Sequence, residues 1–400
     1  MSMTNDHARY GTVSKTFHWL TALLILTLIP LGLVANAWPY DTSEQLAVKA
    51  LLFSVHKTFG VTVFFVALLR IAWAISQPKP GLLHADRKLE SWAAETAHWV
   101  LYGSLIVVPL SGWIHHAATT GFAPIWWPFG QSLPFIPKDP DFAEIFAGLH
   151  EVFVWVLIVT LAAHIGGALK HHVIDRDATL RRMLPGQPSL PKVSGDHPIA
   201  APIVTALAIW AAALVAGASL GLFAAETPAT ETASLDAVAS QWQVEDGKIE
   251  ITVQQMGSAV TGSFADWTAA IAFDETVTQG PAGSVEVTIA IGSLKLGSVT
   301  DQAMGADFFN AEAFPTATFT ADILAGAEGY TAEGKLSLKD SDVPVSLPFT
   351  LAITDDTARM QGNLTLDRRD FGIGQSMKDE SSVGFSVAVD VAVTASKSAD

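Results

Sequence analysis

The sequence predicts a multidomain protein: a transmembrane four-helix bundle plus one extra transmembrane helix, followed by an all-β antiparallel barrel. Three observations predict it. Five apolar stretches, residues 17–37, 50–75, 97–118, 145–169 and 199–225, are each long enough to cross a hydrocarbon core, which takes about 20 apolar residues. Charge divides sharply: residues 1–225 hold 14 Lys and Arg against 13 Asp and Glu, whereas residues 226–400 hold 9 against 26. Beyond residue 236 the apolar residues recur at period two, the spacing of a strand with one buried face.

The first, third and fifth stretches carry no Asp, Glu, Lys or Arg; the second carries Lys57 and Arg70, and the fourth carries Glu151. The first begins near Phe17 and is long enough to span, so it is expected to be retained rather than cleaved as a signal peptide. Basic residues orient the bundle, because short cytoplasmic loops are rich in Lys and Arg. Arg9 and Lys15 precede the first stretch; Lys79, Arg87 and Lys88 fill the second connection; Lys170, Arg176, Arg181, Arg182 and Lys192 fill the fourth. The other two connections have only Lys49 and Lys138 nearby. The N-terminus is therefore expected in the cytoplasm, and five crossings put the C-terminal domain on the outer side. The cluster Trp126-Trp127-Pro128-Phe129 suits the outer interface.

Residues 226–235 are small and polar and read as a linker. After it, Ile249, Ile251 and Val253 alternate with polar neighbours, as do Val285, Val287, Ile289 and Ile291. Phe385, Val387, Val389, Val391 and Val393 form the longest such row. About eight strands separated by Gly- and Asp-rich turns suggest a closed barrel. The domain boundaries are thus 1–190 for the bundle, 191–225 for the fifth helix, 226–235 for the linker and 236–396 for the barrel.

The chain has no cysteine, which excludes disulfides, thiolate-bound zinc, iron–sulfur clusters and thioether-attached haem. The acidic surface argues against nucleic acid and against electrostatic docking on anionic lipid. All twelve histidines lie at or before His197. Histidine within a membrane is costly and marks function, and neutral imidazole is a good axial ligand for haem iron. His150 and His164 lie 14 residues apart on the fourth helix. That is close to four turns, so both face one way, separated by roughly 21 Å along the axis. His18 opens the first helix on the inner side and His56 lies early in the second on the outer side. Matching depths pairs His18 with His164 and His56 with His150: two haems, one near each surface, with the fourth helix supplying a ligand to each.

His98, on the third helix near the inner side, is the rival ligand at the inner level. Packing histidines that only hydrogen-bond between helices are the bland alternative. His115 and His116 end the third helix and read as interfacial or as neighbours of a quinone. His171 and His172 read as part of an inner-face positive cluster, and His7, His84 and His197 receive no role. Lys57 and Arg70 either pair with haem propionates or snorkel to the interface. Glu151 either takes a quinol proton or hydrogen-bonds at the surface.

Several of these segments resemble the bacterial cytochrome b-561 family: Phe17-His18-Trp19-Leu20, Ser54-Val55-His56-Lys57-Thr58-Phe59-Gly60, Glu95-Thr96-Ala97-His98-Trp99 and Leu149-His150-Glu151. Ala163-His164-Ile165-Gly166-Gly167 through Lys170-His171-His172 does so too, with Leu180-Arg181-Arg182-Met183-Leu184-Pro185 after it. The resemblance covers about residues 8–186. It implies a membrane cytochrome with two haem b groups that oxidises quinol, similar to haem subunits whose fourth helix carries two ligands 14 residues apart. That agrees with the depth argument and weakens the case for His98. The fifth helix is an addition that would export the C-terminal domain.

The C-terminal domain has no histidine or cysteine, so a haem, copper or zinc site is not expected there. A filled, ligand-free core is the bland reading of the pattern, although eight strands can enclose one slender apolar ligand. Val260-Thr261-Gly262-Ser263-Phe264, Asp307-Phe308-Phe309-Asn310-Ala311, Phe314-Pro315-Thr316-Ala317-Thr318-Phe319 and Leu366-Asp367-Arg368-Arg369-Asp370-Phe371-Gly372 resemble the YceI family. This implies a lipocalin-like barrel that binds a long isoprenoid chain, quinone tails included. Members often carry a histidine-containing segment where Thr252-Val253-Gln254-Gln255-Met256-Gly257 stands, and a glycine-containing turn where Lys339-Asp340-Ser341-Asp342-Val343-Pro344-Val345 stands. Phe308, Phe309, Phe314, Phe319 and Phe385 are the candidate lining residues.

The expected function is electron transfer between the quinone pool and a periplasmic or membrane acceptor whose identity the sequence leaves open, with an isoprenoid or quinone tail held in the barrel. The partners are the lipid bilayer, the quinone pool and the isoprenoid; a homodimer is admissible. Two other classes stand beside it: a membrane-anchored isoprenoid carrier, and an adaptor whose barrel recruits a partner, neither with redox turnover of its own.

Overall fold

The structure, a computed structural model, describes residues 2–119, 121–186, 190, 193, 197, 199–223, 232–236, 238–327 and 329–398. Most of the predicted linker lies outside these residues. The chain divides into two compact units, one of residues 1–38, 51–119 and 124–225, the other of residues 39–50, 120–123 and 226–400.

The first unit is helical, built from α1 (Thr12–Ala37), α2 (Ser43–Ile75, from residue 51 on), α3 (Lys88–Ala118), α4 (Pro140–Lys170) and α5 (Ala200–Ser219). All five are long and apolar enough to cross a membrane. The first four start before their apolar stretches because a helix needs only its backbone bonds, not apolar side chains, once it leaves the hydrocarbon core. Asp139 caps α4, its Oδ1 accepting from the Phe142 N–H at 3.1 Å, with Pro140 at the first helical position where no donor is needed. Ile25 and Leu28 of α1, Val63 and Ala67 of α2, Leu105 of α3 and Leu157 of α4 meet in one buried cluster. Leu23, Leu69, Trp155, Val159 and Val215 stand exposed on the outside, the arrangement lipid rewards and water penalises. Helix α5 packs on α3 and α4; the Trp210 ring fills the notch that Gly103 leaves on α3.

The end of the bundle where α1 starts is tied by hydrogen bonds from the segment that follows α4. That helix ends in a π turn (His171–Asp175). Arg182, buried, donates to the carbonyls of Ala8 at 2.7 Å and Gly81 at 3.1 Å. Lys15 reaches back to the Leu184 carbonyl at 2.8 Å, and the Trp19 indole donates to that of Met183 at 2.7 Å. Asp177 Oδ2 joins His84 Nε2, at 2.9 Å, to His171 Nδ1, at 2.6 Å. Burial raises the Asp177 pKa, but the Thr179 N–H and hydroxyl and the two imidazoles outweigh it and hold the carboxyl down to about 2. His171 is therefore one node of a mixed ion-pair network with Asp175, Lys170, Glu90 and Arg87, rather than part of a purely positive cluster.

The second unit is one curled antiparallel sheet of ten strands: β1 (Trp242–Gln255), β2 (Ser258–Phe264), β3 (Trp267–Phe273), β4 (Gly280–Ala290), β5 (Leu294–Lys295), β6 (Thr316–Gly326), β7 (Gly329–Leu338), β8 (Ser341–Thr354), β9 (Thr357–Asp367) and β10 (Val383–Lys397), with a short helix α6 (Thr300–Met304) after β5. Neighbours run β3-β4-β6-β7-β8-β9-β10-β1-β2-β5. The strand count exceeds the expected eight because pieces as short as the two-residue β5 leave no alternation to read. The curl brings β3 beside the start of β1, where Gln241 N–H donates to the Ile271 carbonyl at 3.0 Å and Trp242 Nε1 to that of Phe273 at 3.2 Å. Two-residue turns join β1 to β2, β7 to β8 and β8 to β9; Met256 and Gly257 both take positive φ, 50° and 79°, as the hairpin twist demands. Lys339 takes φ 55° in the turn where the resembling family has glycine, so a β-carbon is tolerated there at some strain.

Arg368 secures the segment between β9 and β10. It is buried, and all five of its donors reach backbone carbonyls: Nε to Gly384 at 3.0 Å, Nη1 to Ile373 and Gly374 at 2.7 Å, and Nη2 to Met377 at 2.6 Å and Val383 at 3.1 Å. Arg368→Met removes the donors and leaves those buried carbonyls unpaired. It is expected to destabilise the barrel by about 3 kcal/mol or more, read as a lowered midpoint of the β-sheet circular-dichroism transition, with early proteolytic cleavage between residues 369 and 383.

Candidate functional site

The histidines that the sequence singles out gather at two levels of the bundle. At the far level, away from the start of α1, stand His56 of α2 and His150 of α4. Each ring is held in the same way. His56 Nδ1 donates to the Leu28 carbonyl of α1 at 3.1 Å, and His150 Nδ1 donates to the Val108 carbonyl of α3 at 2.8 Å. One turn beyond each carbonyl stands a glycine. A β-carbon on Gly32 would lie 2.7 Å from His56 Cε1, and one on Gly112 would lie 3.0 Å from His150 Cε1. The glycine opens a notch, the imidazole enters it, and the ring reaches a carbonyl that a bulkier helix surface would keep out of range.

This arrangement has a chemical consequence. An Nδ1–H bonded to a carbonyl fixes the neutral tautomer whose Nε2 lone pair is free, the form that ligates metals. His115 is tied likewise, with Nδ1 2.8 Å from the Ala143 carbonyl. Gly60 follows His56 by one helical turn, and a β-carbon there would meet nothing within 4 Å. The far level thus offers two oriented imidazole nitrogens beside open space, which is what a bis-imidazole haem requires. Lys57, buried, has its ammonium 6.0 Å from the Phe53 ring centre, and Glu151 is exposed.

At the near end three imidazoles meet. The ring centres of His18 and His164 are 6.3 Å apart, and those of His98 and His164 are 5.2 Å apart. Arg70 Nη2 lies 3.4 Å from His18 Nδ1 and its guanidinium stacks 5.3 Å from the Tyr102 ring centre, so Arg70 would be the cation available to a haem carboxylate at this level. Positions Gly166 and Gly167, just past His164, also face open space. The residues present fit haem at both levels.

The interior of the barrel holds two adjoining apolar cavities of 160 and 190 Å³. Both touch Ile249, Ile289, Leu336, Leu366 and Val389, so they lie end to end along the strands. Trp242 and Phe273 lie at one end, and Gln255, Arg368 and Val383 at the other. Of the aromatic residues expected to line it, Phe308 and Phe309 face the first cavity and Phe319 the second. Phe314 sits in the turn before β6, its N–H on the Asn310 carbonyl at 2.9 Å, and is not among the lining residues. Phe385 is not either. Between Val253 and Gln255 of β1 the partner strand advances from Val387 to Val383, so Phe385 falls in a bulge and stacks on Arg369, 4.1 Å from its ring centre.

Sequence reasoning passed over Gly32, Gly112 and Gly60, and the carbonyls of Leu28 and Val108. The available signal was a glycine four residues past a helical position facing each histidine.

Two family models match the chain: prokaryotic cytochrome b561 over residues 9–186, and the YceI-like domain over residues 236–395. Cytochrome b561 homolog 2 of Escherichia coli (strain K12) is 33% identical over 189 residues, spanning 46% of this chain and 95% of that protein. A probable superoxide oxidase, CybB, of Yersinia pestis is 24% identical over 183 residues, spanning 45% of this chain and 97% of that one. Among solved structures, Burkholderia cenocepacia BcnA is 32% identical and covers 38% of this chain and 96% of its own, with a TM-score of 0.35.

Gly32→Val forces methyl groups into the space of the His56 ring. Overpacking of this kind costs about 1–3 kcal/mol, so the variant is expected to melt at lower temperature in detergent than wild type, as read by tryptophan fluorescence.

Proposed function

Because this chain belongs to the prokaryotic cytochrome b561 family, we propose that its helical unit holds two haem b groups, one between His18 and His164 and one between His56 and His150, and exchanges electrons with the quinone pool. The observation that carries this reading is the paired notch: two imidazoles at one level, each turned by a carbonyl so that Nε2 is free. Haem bound at these sites supplies one-electron carriage. The chain's own contribution is to orient the imidazoles, exclude water with the cluster around Leu28, Val63 and Leu157, and place Arg70 near the inner pair. A haem held by two imidazoles would serve electron transfer rather than oxygen binding.

In this reading the N-terminus is cytoplasmic and the barrel periplasmic, following the basic residues of the even-numbered connections. The barrel takes an isoprenoid, plausible cargo being a quinone tail. Its cavities run beside the stretch of β10 from Val383 to Ala395, about 40 Å of strand at about 3.3 Å per residue. Burial favours such a tail by about 0.8 kcal/mol per CH₂, although removing it from lipid offsets most of that.

A second reading concerns the electron donor. One relative is named a probable superoxide oxidase. With that chemistry, two superoxide ions would each lose one electron to become oxygen, and one quinone would take the two electrons and two protons to become quinol. The same histidine pairs would serve, and only the direction of flow would change.

Reduced-minus-oxidised spectra with haem counting test the ligand assignment. Wild type is expected to carry two haems. His56→Ala and His150→Ala lose the same one; His18→Ala and His164→Ala lose the other; His98→Ala keeps both. Loss of haem in His98→Ala with His18→Ala silent would reverse the inner assignment. On the same preparation, quinol-driven haem reduction without superoxide-driven quinone reduction would remove the second reading.

A further inference from the structure

We infer that His84, His171 and Asp177, at the end of the bundle where α1 starts, form a binding site for one divalent transition-metal ion of the zinc type, with water completing its coordination. None of the three belongs to the histidine pairs assigned to haem, so the site stands apart from that reading.

His84 lies in the connection between α2 and α3, His171 opens the π turn after α4, and Asp177 follows that turn. The backbone brings the last two together. Arg176 takes φ 55°, which reverses the chain, and the Asp177 N–H donates to the His171 carbonyl at 3.1 Å. The Thr179 N–H holds Asp177 Oδ1 at 2.7 Å, so Oδ2 is left to face the imidazoles. His84 Nε2 stands 2.9 Å from that oxygen and His171 Nδ1 stands 2.6 Å from it. The two rings are parallel within 8°, their centres 6.0 Å apart. All three ligand atoms lie within 4.8 Å of one another.

Charge points to a cation as well. Asp175 is answered by Lys170 at 3.0 Å and Arg87 at 3.2 Å, and Glu90 by Lys170 at 2.7 Å and Arg87 at 3.3 Å. Asp177 differs: among the described residues no lysine or arginine stands within ion-pair distance of it, although its side chain is only 11% exposed. A neutral imidazole offers such a carboxylate an N–H dipole, whereas a metal ion offers a full charge, and a carboxylate drawn out of water needs one. His171 Nδ1 also lies 3.1 Å from Asp175 Oδ2, but Lys170 and Arg87 already engage that oxygen.

The donor set decides which cation. Two imidazole nitrogens and one carboxylate oxygen suit Zn²⁺, whereas Mg²⁺ and Ca²⁺ take oxygen ligands. Bonds of about 2.0 Å in a tetrahedron put ligand atoms about 3.3 Å apart, so Oδ2 backs away from the two rings by about 0.4 and 0.7 Å. Each ring proton that now bonds to Oδ2 moves through water to the opposite ring nitrogen, His84 Nδ1 or His171 Nε2, and the freed lone pair binds the ion. The side chains of His84 and His171 are 31% and 19% exposed, which gives water access to the site. Bound there, the ion clamps the α2–α3 connection to the segment after α4.

Full-length protein without an affinity tag, purified in detergent and stripped with EDTA, is dialysed against graded ZnCl₂, and zinc is counted by mass spectrometry. One zinc per chain is expected to bind below about 10 μM free ion, undisturbed by millimolar Mg²⁺. His84→Gln and His171→Asn each put an amide N–H where the ring N–H stood, so they keep a donor for Asp177 and remove the lone pair. Each is expected to weaken zinc by about a hundredfold, with the visible spectrum and the metal-free melting temperature unchanged. Zinc is expected to raise the melting temperature of wild type and of His172→Ala, and of neither other variant. No stoichiometric zinc in wild type, or an affinity that survives both His84→Gln and His171→Asn, overturns the site. Should either variant fail to fold, X-ray absorption at the zinc edge of wild type decides: two imidazole shells support the assignment, and an all-oxygen or single-imidazole shell sinks it.

Discussion

The hydrogen bond from a ring Nδ1 to a helix carbonyl is the interaction on which the helical unit's chemistry depends. A hydrocarbon medium offers no water to satisfy an imidazole, so each polar atom must find its partner on the chain. At the far level the protein meets this constraint twice with the same device: a carbonyl, a glycine one turn later, and a histidine from the neighbouring helix seated in the gap. The bond satisfies one nitrogen and, by fixing the tautomer, leaves the other available to a metal. Packing and ligand orientation are thus one feature. The notch that lets the helices approach is also what aims the ring.

The near level is built differently. His18, His98 and His164 converge without carbonyl partners of that kind, and a cation, Arg70, stands against them. Around them the segment after α4 folds back, with Arg182, Lys15 and Trp19 donating to carbonyls of distant segments. Charged residues that read individually as an orienting signal also act as ties. Asp177 is the clearest case, since it accepts from imidazoles contributed by two separate parts of the chain.

The barrel solves the opposite problem. It is charged outside and encloses cavities with apolar walls, and its one lining cation is consumed in holding the β9–β10 segment closed. Because the donors of Arg368 face backbone carbonyls, the guanidinium leaves the cavity wall apolar. Both units meet the same restriction: polar groups that leave water are matched one by one by backbone.

The sequence alone determined the five apolar helices and the change to period two. These follow from local chemistry: length against bilayer thickness and alternation against the pleat. The tertiary structure decided what depends on two segments meeting. The partner carbonyls of Leu28 and Val108, the notches at Gly32 and Gly112, and the convergence of His18, His98 and His164 all lie between helices. Phe385 shows the limit within one strand: its parity places it in the row with Val387, but a bulge set by the register with β1 turns it onto Arg369. Periodicity is a property of one element, whereas register and approach belong to a pair. Residues whose roles rest on the second remain hidden until both members are in place.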